Sequence, residues 1–203
     1  VNFSFGKLGR RVFERVSDGL VSLLAAKRIS PHIFTLAGMS LTIIAIYPYS
    51  QAQQNPANLL YAGSILAVAG LLDALDGAVA RRADTVSRLG AFLDSVTDRI
   101  ADAGLSVGIY LSRLVDPLLI ILMLTSSMLV SYTRARAESL GVAMKNVGIG
   151  ERAVRIIIMV ATTASASFRP EALTWGSAIV FLLGLVTSLQ RAKHALSNLR
   201  KTA

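Results

Sequence analysis

Between Arg28 and Asp73 the chain carries no Asp, Glu, Lys or Arg, a stretch of 44 residues. That is enough for two crossings of a bilayer at about 20 residues each. The segment 51–58 (QAQQNPAN) is polar, contains Pro56 and supplies the turn between them. No water-soluble core absorbs apolar runs of this length. Composition points the same way: 53% of the residues are hydrophobic, only 16% are charged, and the mean hydropathy is +0.57. With no cysteine, neither a disulfide framework nor a thiolate metal site is available.

Apolar runs predict six spans, near residues 33–49, 59–79, 89–111, 117–133, 154–167 and 172–189. The third is interrupted by Asp94, Asp98, Arg99 and Asp102, and the fifth is short. The expected fold is therefore an all-α integral membrane protein of six transmembrane helices. An interfacial amphipathic helix precedes them, in which Phe5, Leu8, Val12, Phe13, Val16 and Leu20 recur at three- and four-residue steps. The divisions this predicts are residues 1–28 for the interfacial helix, 29–191 for the membrane domain and 192–203 for a basic tail.

The net charge of +9 is distributed as membrane topology requires. With six crossings, 18 of the 21 Lys and Arg residues fall on one side, leaving Arg113 and Arg169 opposite and Arg99 within a span. The positive-inside rule then places both termini in the cytoplasm, in a multi-pass protein of the cell membrane. Basic residues that flank apolar spans, without one continuous basic face, argue against a nucleic-acid partner.

Five carboxylates, Asp73, Asp76, Asp94, Asp98 and Asp102, stand at or just inside apolar spans. An ionised group at that depth is costly unless paired or hydrated, so a functional role is the default. Asp73 and Asp76 are spaced i, i+3, and Asp94, Asp98 and Asp102 are spaced i, i+4, i+8, so each set lines one helix face. Two ladders on neighbouring helices can face each other across a polar gap. All-oxygen donors suit hard cations such as Mg²⁺, with Mn²⁺ able to substitute. Four carboxylates fit two ions sharing ligands, as in phosphoryl-transfer sites. Two other readings of the same residues are salt bridges to Arg81, Arg82, Arg88 and Arg99, and the carboxylate site of a cation-coupled transporter. The ladders lie near the ends of their spans, away from the midplane where transporters bind.

Residues 73–98 read Asp73-x2-Asp76-Gly77-x2-Ala80-Arg81-x8-Gly90-x3-Asp94-x3-Asp98. This resembles the signature of the CDP-alcohol phosphotransferase family, with all its specified residues at the right spacing. The resemblance implies a six-helix membrane enzyme, a homodimer, that transfers the phosphatidyl or archaetidyl group of a CDP-linked lipid to an alcohol and releases CMP. It implies Asp73, Asp76, Asp94 and Asp98 as ligands of two Mg²⁺ ions, with Asp98 also the general base. Gly77, Arg81 and Ser87 would contact the CDP moiety. The segment His32-Ile33-Phe34-Thr35 looks like the family's nucleotide-bordering stretch, with His32 where Asn or Asp is usual.

The residues 131–138 (SYTRARAE) and Glu151-Arg152-x2-Arg155 are similar to stretches of phosphatidylinositol phosphate synthases and their archaeal counterparts. That similarity implies an acceptor-phosphate pocket of Arg134, Arg152, Arg155 and Arg191, inositol phosphate as acceptor, and CDP-diacylglycerol or CDP-archaeol as donor. Glycerol-3-phosphate is the alternative acceptor. Asp102, one turn beyond Asp98, is expected to bond or balance charge without touching metal.

Overall fold

The computed structural model describes residues 18–27 and 30–202, and every regular element among them is helical. In chain order these are α1 (residues 18–26), α2 (Pro31–Ile44), α3 (Ile46–Ser50), α4 (Asn58–Arg82), α5 (Arg88–Ser112), α6 (Pro117–Ser139), α7 (Arg152–Ala166) and α8 (Glu171–Thr202). Four stretches are long and apolar enough to cross a membrane: Pro31–Ser50, Asn58–Arg82, Pro117–Ser139 and Glu171–Arg200.

The expected first span is divided into α2 and α3 at Ala45. Pro48 has no N–H to donate to the carbonyl four residues back, and the chain steps at that place without losing its course. The third expected span falls on α5, a helix of 25 residues whose inward Asp residues lower its hydropathy, and it is not one of the four. Phe92, Val96, Ile100, Val107 and Leu111 are exposed along its outer side, where lipid can cover them. The fifth expected span falls on α7, which at 15 residues, about 22 Å, is likewise not one of the four.

Much of the proposed interfacial helix, residues 1–17, lies outside the described residues. Its described end, α1, packs Val21 against Ala78 and Val79 of α4. At the other end of the chain α8 runs unbroken through Arg191 to Thr202, so the basic tail continues the last helix.

The bundle core joins Leu59, Ala62 and Leu66 of α4 to Leu105 and Ile109 of α5, Ile120 and Met123 of α6, Met159 of α7 and Val180 of α8. Small residues set the spacing of the helices. A Cβ on Gly63 of α4 would stand 3.1 Å from the backbone nitrogen of Ala164 on α7. A Cβ on Gly108 of α5 would stand 2.8 Å from the Tyr49 ring. That ring is fully buried, and its hydroxyl shares a 2.6 Å hydrogen bond with the Thr163 hydroxyl of α7.

Helix α2 packs on both α4 and α5, and α7 packs on α4. The α4 and α5 backbones keep apart, while Leu59, Ala62 and Leu66 of α4 still share the core with Leu105 and Ile109 of α5. They diverge from the short turn at residues 83–87, and the gap between them is where the carboxylate ladders meet.

Candidate functional site

The gap is built from the last turns of α4 and the first turns of α5. Ser87 starts α5 as its N-cap, with its hydroxyl accepting a 3.0 Å hydrogen bond from the Gly90 N–H. Helical spacing from that cap puts Asp94, Asp98 and Asp102 on one side of α5, facing the Asp73 and Asp76 side of α4. Carboxylate oxygens of Asp73, Asp76 and Asp94 all lie within 4.8 Å of one another.

One member of this triad is fixed from outside. Asp76 is buried, and its Oδ2 accepts a 2.7 Å hydrogen bond from the Thr35 hydroxyl of α2. A carboxylate aimed in this way resembles the oriented ligands of metal centres. The donor set is all carboxylate oxygen, which suits a hard divalent cation. These residues therefore fit a metal ion.

Asp98 is placed differently. Its Oδ1 is 2.8 Å from Arg152 Nη1, and its Oδ2 accepts a 2.9 Å bond from Arg99 Nη2. Arg152 enters from the start of α7 and also donates from Nη1 to Asp73 Oδ1 at 2.9 Å and from Nε to Asp102 Oδ1 at 3.3 Å. Arg152 thus ties α7 to both ladders. Asp102 Oδ2 lies 3.8 Å from Arg155 Nη2, an ion pair longer than a hydrogen bond. Asp102 therefore balances charge on two arginines.

Of the residues assigned to the nucleotide, His32, Thr35, Gly77, Arg81 and Ser87 lie where α2, the end of α4 and the start of α5 meet. The His32 ring lies beside Gly90, where a Cβ would stand 3.1 Å from its Cε1 and 3.2 Å from the Ser87 hydroxyl. A Cβ on Gly77 would stand 3.0 Å from Arg81 Nη1, so the bare backbone there makes room for the guanidinium. Ile33 is exposed on the outside and Phe34 packs against the apolar cluster of α1 and α4, so neither side chain faces the gap.

The four arginines assigned to the acceptor divide by environment. Arg155 is buried on α7 beside Asp102. Arg191 is buried on α8, donating from Nη1 to the Val130 carbonyl at 2.6 Å and from Nε to the Val147 carbonyl at 2.9 Å. Arg134 is half-exposed and paired with Glu138 at 3.0 Å. Every interaction shown for Arg152 is with a carboxylate. Sequence reasoning missed this destination; the Arg99–Asp98 pair, at 2.9 Å, is one of the salt bridges that the alternative reading of the carboxylates offered.

Residues 28–190 match the family described as CDP-alcohol phosphatidyltransferase. The chain belongs to that family. As a CDP-alcohol phosphatidyltransferase it is a transferase of phospholipid biosynthesis and a multi-pass membrane protein. It is 38% identical to the archaetidylinositol phosphate synthase of Pyrococcus horikoshii over 186 residues, 92% of each chain. It is 35% identical to the same enzyme of Aeropyrum pernix over 198 residues, 97% of this chain and 98% of the relative. The crystal structure of Mycobacterium tuberculosis phosphatidylinositol phosphate synthase with CDP-DAG bound superposes with a TM-score of 0.73 at 25% identity, covering 89% of this chain and 94% of that one. A second structure of that enzyme, in complex with manganese and citrate, has the same TM-score and covers 88% of each chain.

Proposed function

We propose that this phosphatidyltransferase moves the lipid phosphate of a CDP-linked lipid onto a hydroxyl of inositol phosphate, releasing CMP. The observation that carries the reading is the Asp73–Asp76–Asp94 triad, set beside a mouth that also holds Arg81 and, across Arg152, the buried Arg155. The acceptor follows from the relatives named archaetidylinositol phosphate synthase and from the arginines on α7 and α8. Those relatives also favour the ether lipid CDP-archaeol as donor, with CDP-diacylglycerol the ester counterpart.

Asp73, Asp76 and Asp94 would hold divalent cations, with Asp98 joining them as ligand; two Mg²⁺ ions are the reading, with Mn²⁺ able to replace them. When bound, such ions supply positive charge that neutralises the diphosphate and the departing CMP. The protein's own groups do the rest. Arg81, Gly77, Ser87 and the backbone of residues 32–35 seat the CDP group. Arg134, Arg155 and Arg191 hold the acceptor phosphate, for which a planar guanidinium offers paired donors. Asp98 accepts the proton of the attacking hydroxyl, whose oxygen bonds to the phosphorus nearer the lipid while the bond to the CMP oxygen breaks. Asp98 is a weak base by nature, and positioning supplies more of the rate than basicity.

The same reading takes α5 and α7 as crossings alongside the four long spans, making six. It places both termini and the site in the cytoplasm and residues 29–191 in the membrane domain, with a homodimer as the working form. The test is CMP release by detergent-purified protein with Mg²⁺, CDP-archaeol or CDP-diacylglycerol, and one acceptor at a time. Release with inositol phosphate alone supports the reading. Release with glycerol-3-phosphate in its place would keep the chemistry and remove the inositol phosphate assignment.

A further inference from the structure

The segment between α6 and α7, residues 140–151, is laid along α8. Leu183, Thr187, Arg191, Ala195 and Leu199 recur at four-residue steps, the spacing that forms one ridge on a helix surface. Each of them meets that segment. Leu199 and Ala195 join Val147 in packing against the buried Val142 and Met144. Arg191 donates from Nε to the Val147 carbonyl at 2.9 Å. The Thr187 hydroxyl accepts a 2.8 Å bond from the Gly150 N–H, and a Cβ on Gly150 would stand 2.9 Å from the Leu183 carbonyl oxygen.

Thr187 is the closest of these contacts. It is fully buried, and Gly148 reaches it in the left-handed region at φ +103°, where a Cβ would overlap the Thr187 methyl. Gly150 is buried as well, so its N–H needs a protein partner, and Thr187 supplies it. What this contact fixes is the start of α7. Gly150 immediately precedes Glu151, the N-cap of α7, whose side chain makes no capping hydrogen bond. The chain therefore enters α7 held from α8, one residue before the cap. Arg155 lies one turn into α7 and Arg191 one turn beyond Thr187 on α8, and both are buried.

We propose that Thr187 is a positioning residue for the acceptor: by holding the Gly150 N–H it sets the register of α7 against α8, and with it the spacing of Arg155 and Arg191. The inference rests on the phosphorylated acceptor proposed above and deepens it. Thr187 touches no substrate. A phosphate shared between two guanidiniums is sensitive to their separation, because each paired hydrogen bond has a narrow range of distance and angle. The residues assigned to the nucleotide stand on α2, α4 and the turn into α5, away from this ridge. A change at Thr187 therefore reaches the acceptor and leaves the CDP-lipid.

Wild type is assayed first with inositol phosphate and with glycerol-3-phosphate, and the variants with the one it uses. The acceptor reading thus stands or falls before Thr187 is tested. Thr187→Val keeps the branched shape and removes the partner of the Gly150 N–H, while Thr187→Ser keeps the hydroxyl. Thr187→Val is expected to lower kcat/KM for the acceptor by about 10–100-fold, the scale of a misplacement of about 1 Å, chiefly through KM. The KM for CDP-lipid should stay within about twofold of wild type, and Thr187→Ser should recover most of the acceptor loss. Gly150→Ala tests the same contact from the other side, since its methyl presses on Thr187 Oγ1 and the Leu183 carbonyl, and the same split is expected even if Thr187→Val does not fold. CDP-lipid binding and monodispersity show which variants are folded. An equal loss for acceptor and CDP-lipid, no loss in a folded variant, or a loss that Thr187→Ser does not recover would overturn the inference. Use of neither phosphorylated acceptor by wild type would remove the acceptor reading, and this inference with it.

Discussion

Thr35 and Asp76, 41 residues apart, are joined by a buried 2.7 Å hydrogen bond from the hydroxyl of α2 to the carboxylate of α4. The bond does two things at once. It satisfies one oxygen of a buried carboxylate, and it fixes that group beside Asp73 and Asp94. Thr35→Val keeps the shape and removes the donor. Partners that orient a metal ligand are commonly worth about 10–100-fold in metal affinity or activity. Mn²⁺ affinity of Thr35→Val, followed by electron paramagnetic resonance, is expected to fall within that range, with Thr35→Ser close to wild type. An unchanged affinity would mean that Asp76 is held in place by its packing alone.

Arg191 joins three parts of the chain: its own helix α8, the Val130 carbonyl of α6 and the Val147 carbonyl of the loop before α7. Arg191→Ala removes two charge-assisted bonds, each worth about 1.5–3 kcal/mol, although Thr133 Oγ1 still donates to the Val130 carbonyl. Thermal unfolding in detergent should show a lowered Tm. Arg191→Lys should restore little of it, because an ammonium cannot serve both carbonyls with the fixed fork of a guanidinium. A Tm equal to wild type in the Ala variant would contradict this joining role.

The Tyr49–Thr163 bond closes α3 against α7 at the end of the bundle away from the carboxylates. Tyr49→Phe leaves the buried Thr163 hydroxyl without this partner and is expected to cost about 1–2 kcal/mol in stability. The KM for CDP-lipid should be unchanged, since neither residue reaches the α4–α5 gap. Gly108→Val is expected to be harsher, because its Cβ enters the Tyr49 ring and forces it to move. Both are read by residual fold after a heat step, with Tyr49→Phe the milder of the two.

Chelation gives a fourth expectation. A site of carboxylates alone has no firm hold on its ions, so EDTA should abolish CMP release and added Mn²⁺ or Mg²⁺ should restore it. Asp94→Asn should require a higher metal concentration for half-maximal rate. Activity that persists through exhaustive chelation would remove the metal from the account.

What was legible in the sequence was whatever depends on near neighbours in the chain. The spacing of Asp73, Asp76, Asp94, Asp98 and Asp102 fixes each ladder on one helix face, and the short turn at residues 83–87 brings the two faces together. The positions of α4, α5 and α6 follow from their apolar runs in the same way. The step at Ala45 was signalled by Pro48, but a proline in an apolar run can bend a span or end it, and packing decides which. The continuation of α8 past Arg191 also went unread, because polarity was taken as its end although Arg, Lys, Ala and Leu all favour helix.

The partner of Arg152 was not legible. It reaches Asp73 across 79 residues, and nothing in the spacing of 151–155 distinguishes a guanidinium aimed at carboxylates from one aimed at a phosphate. The same holds for Arg191, whose two carbonyl partners lie 44 and 61 residues away. Long-range side-chain bonds are set by how helices pack, which local pattern does not encode.

The most direct measurement of the central claim is CMP release by Asp98→Asn with CDP-archaeol, inositol phosphate and Mg²⁺, alongside CDP-lipid binding by the same preparation. The amide keeps the shape and loses the proton acceptor. Turnover is expected to fall by about 10²–10⁴-fold, the usual contribution of a positioned base, while CDP-lipid binding remains measurable. Turnover close to wild type would contradict the account.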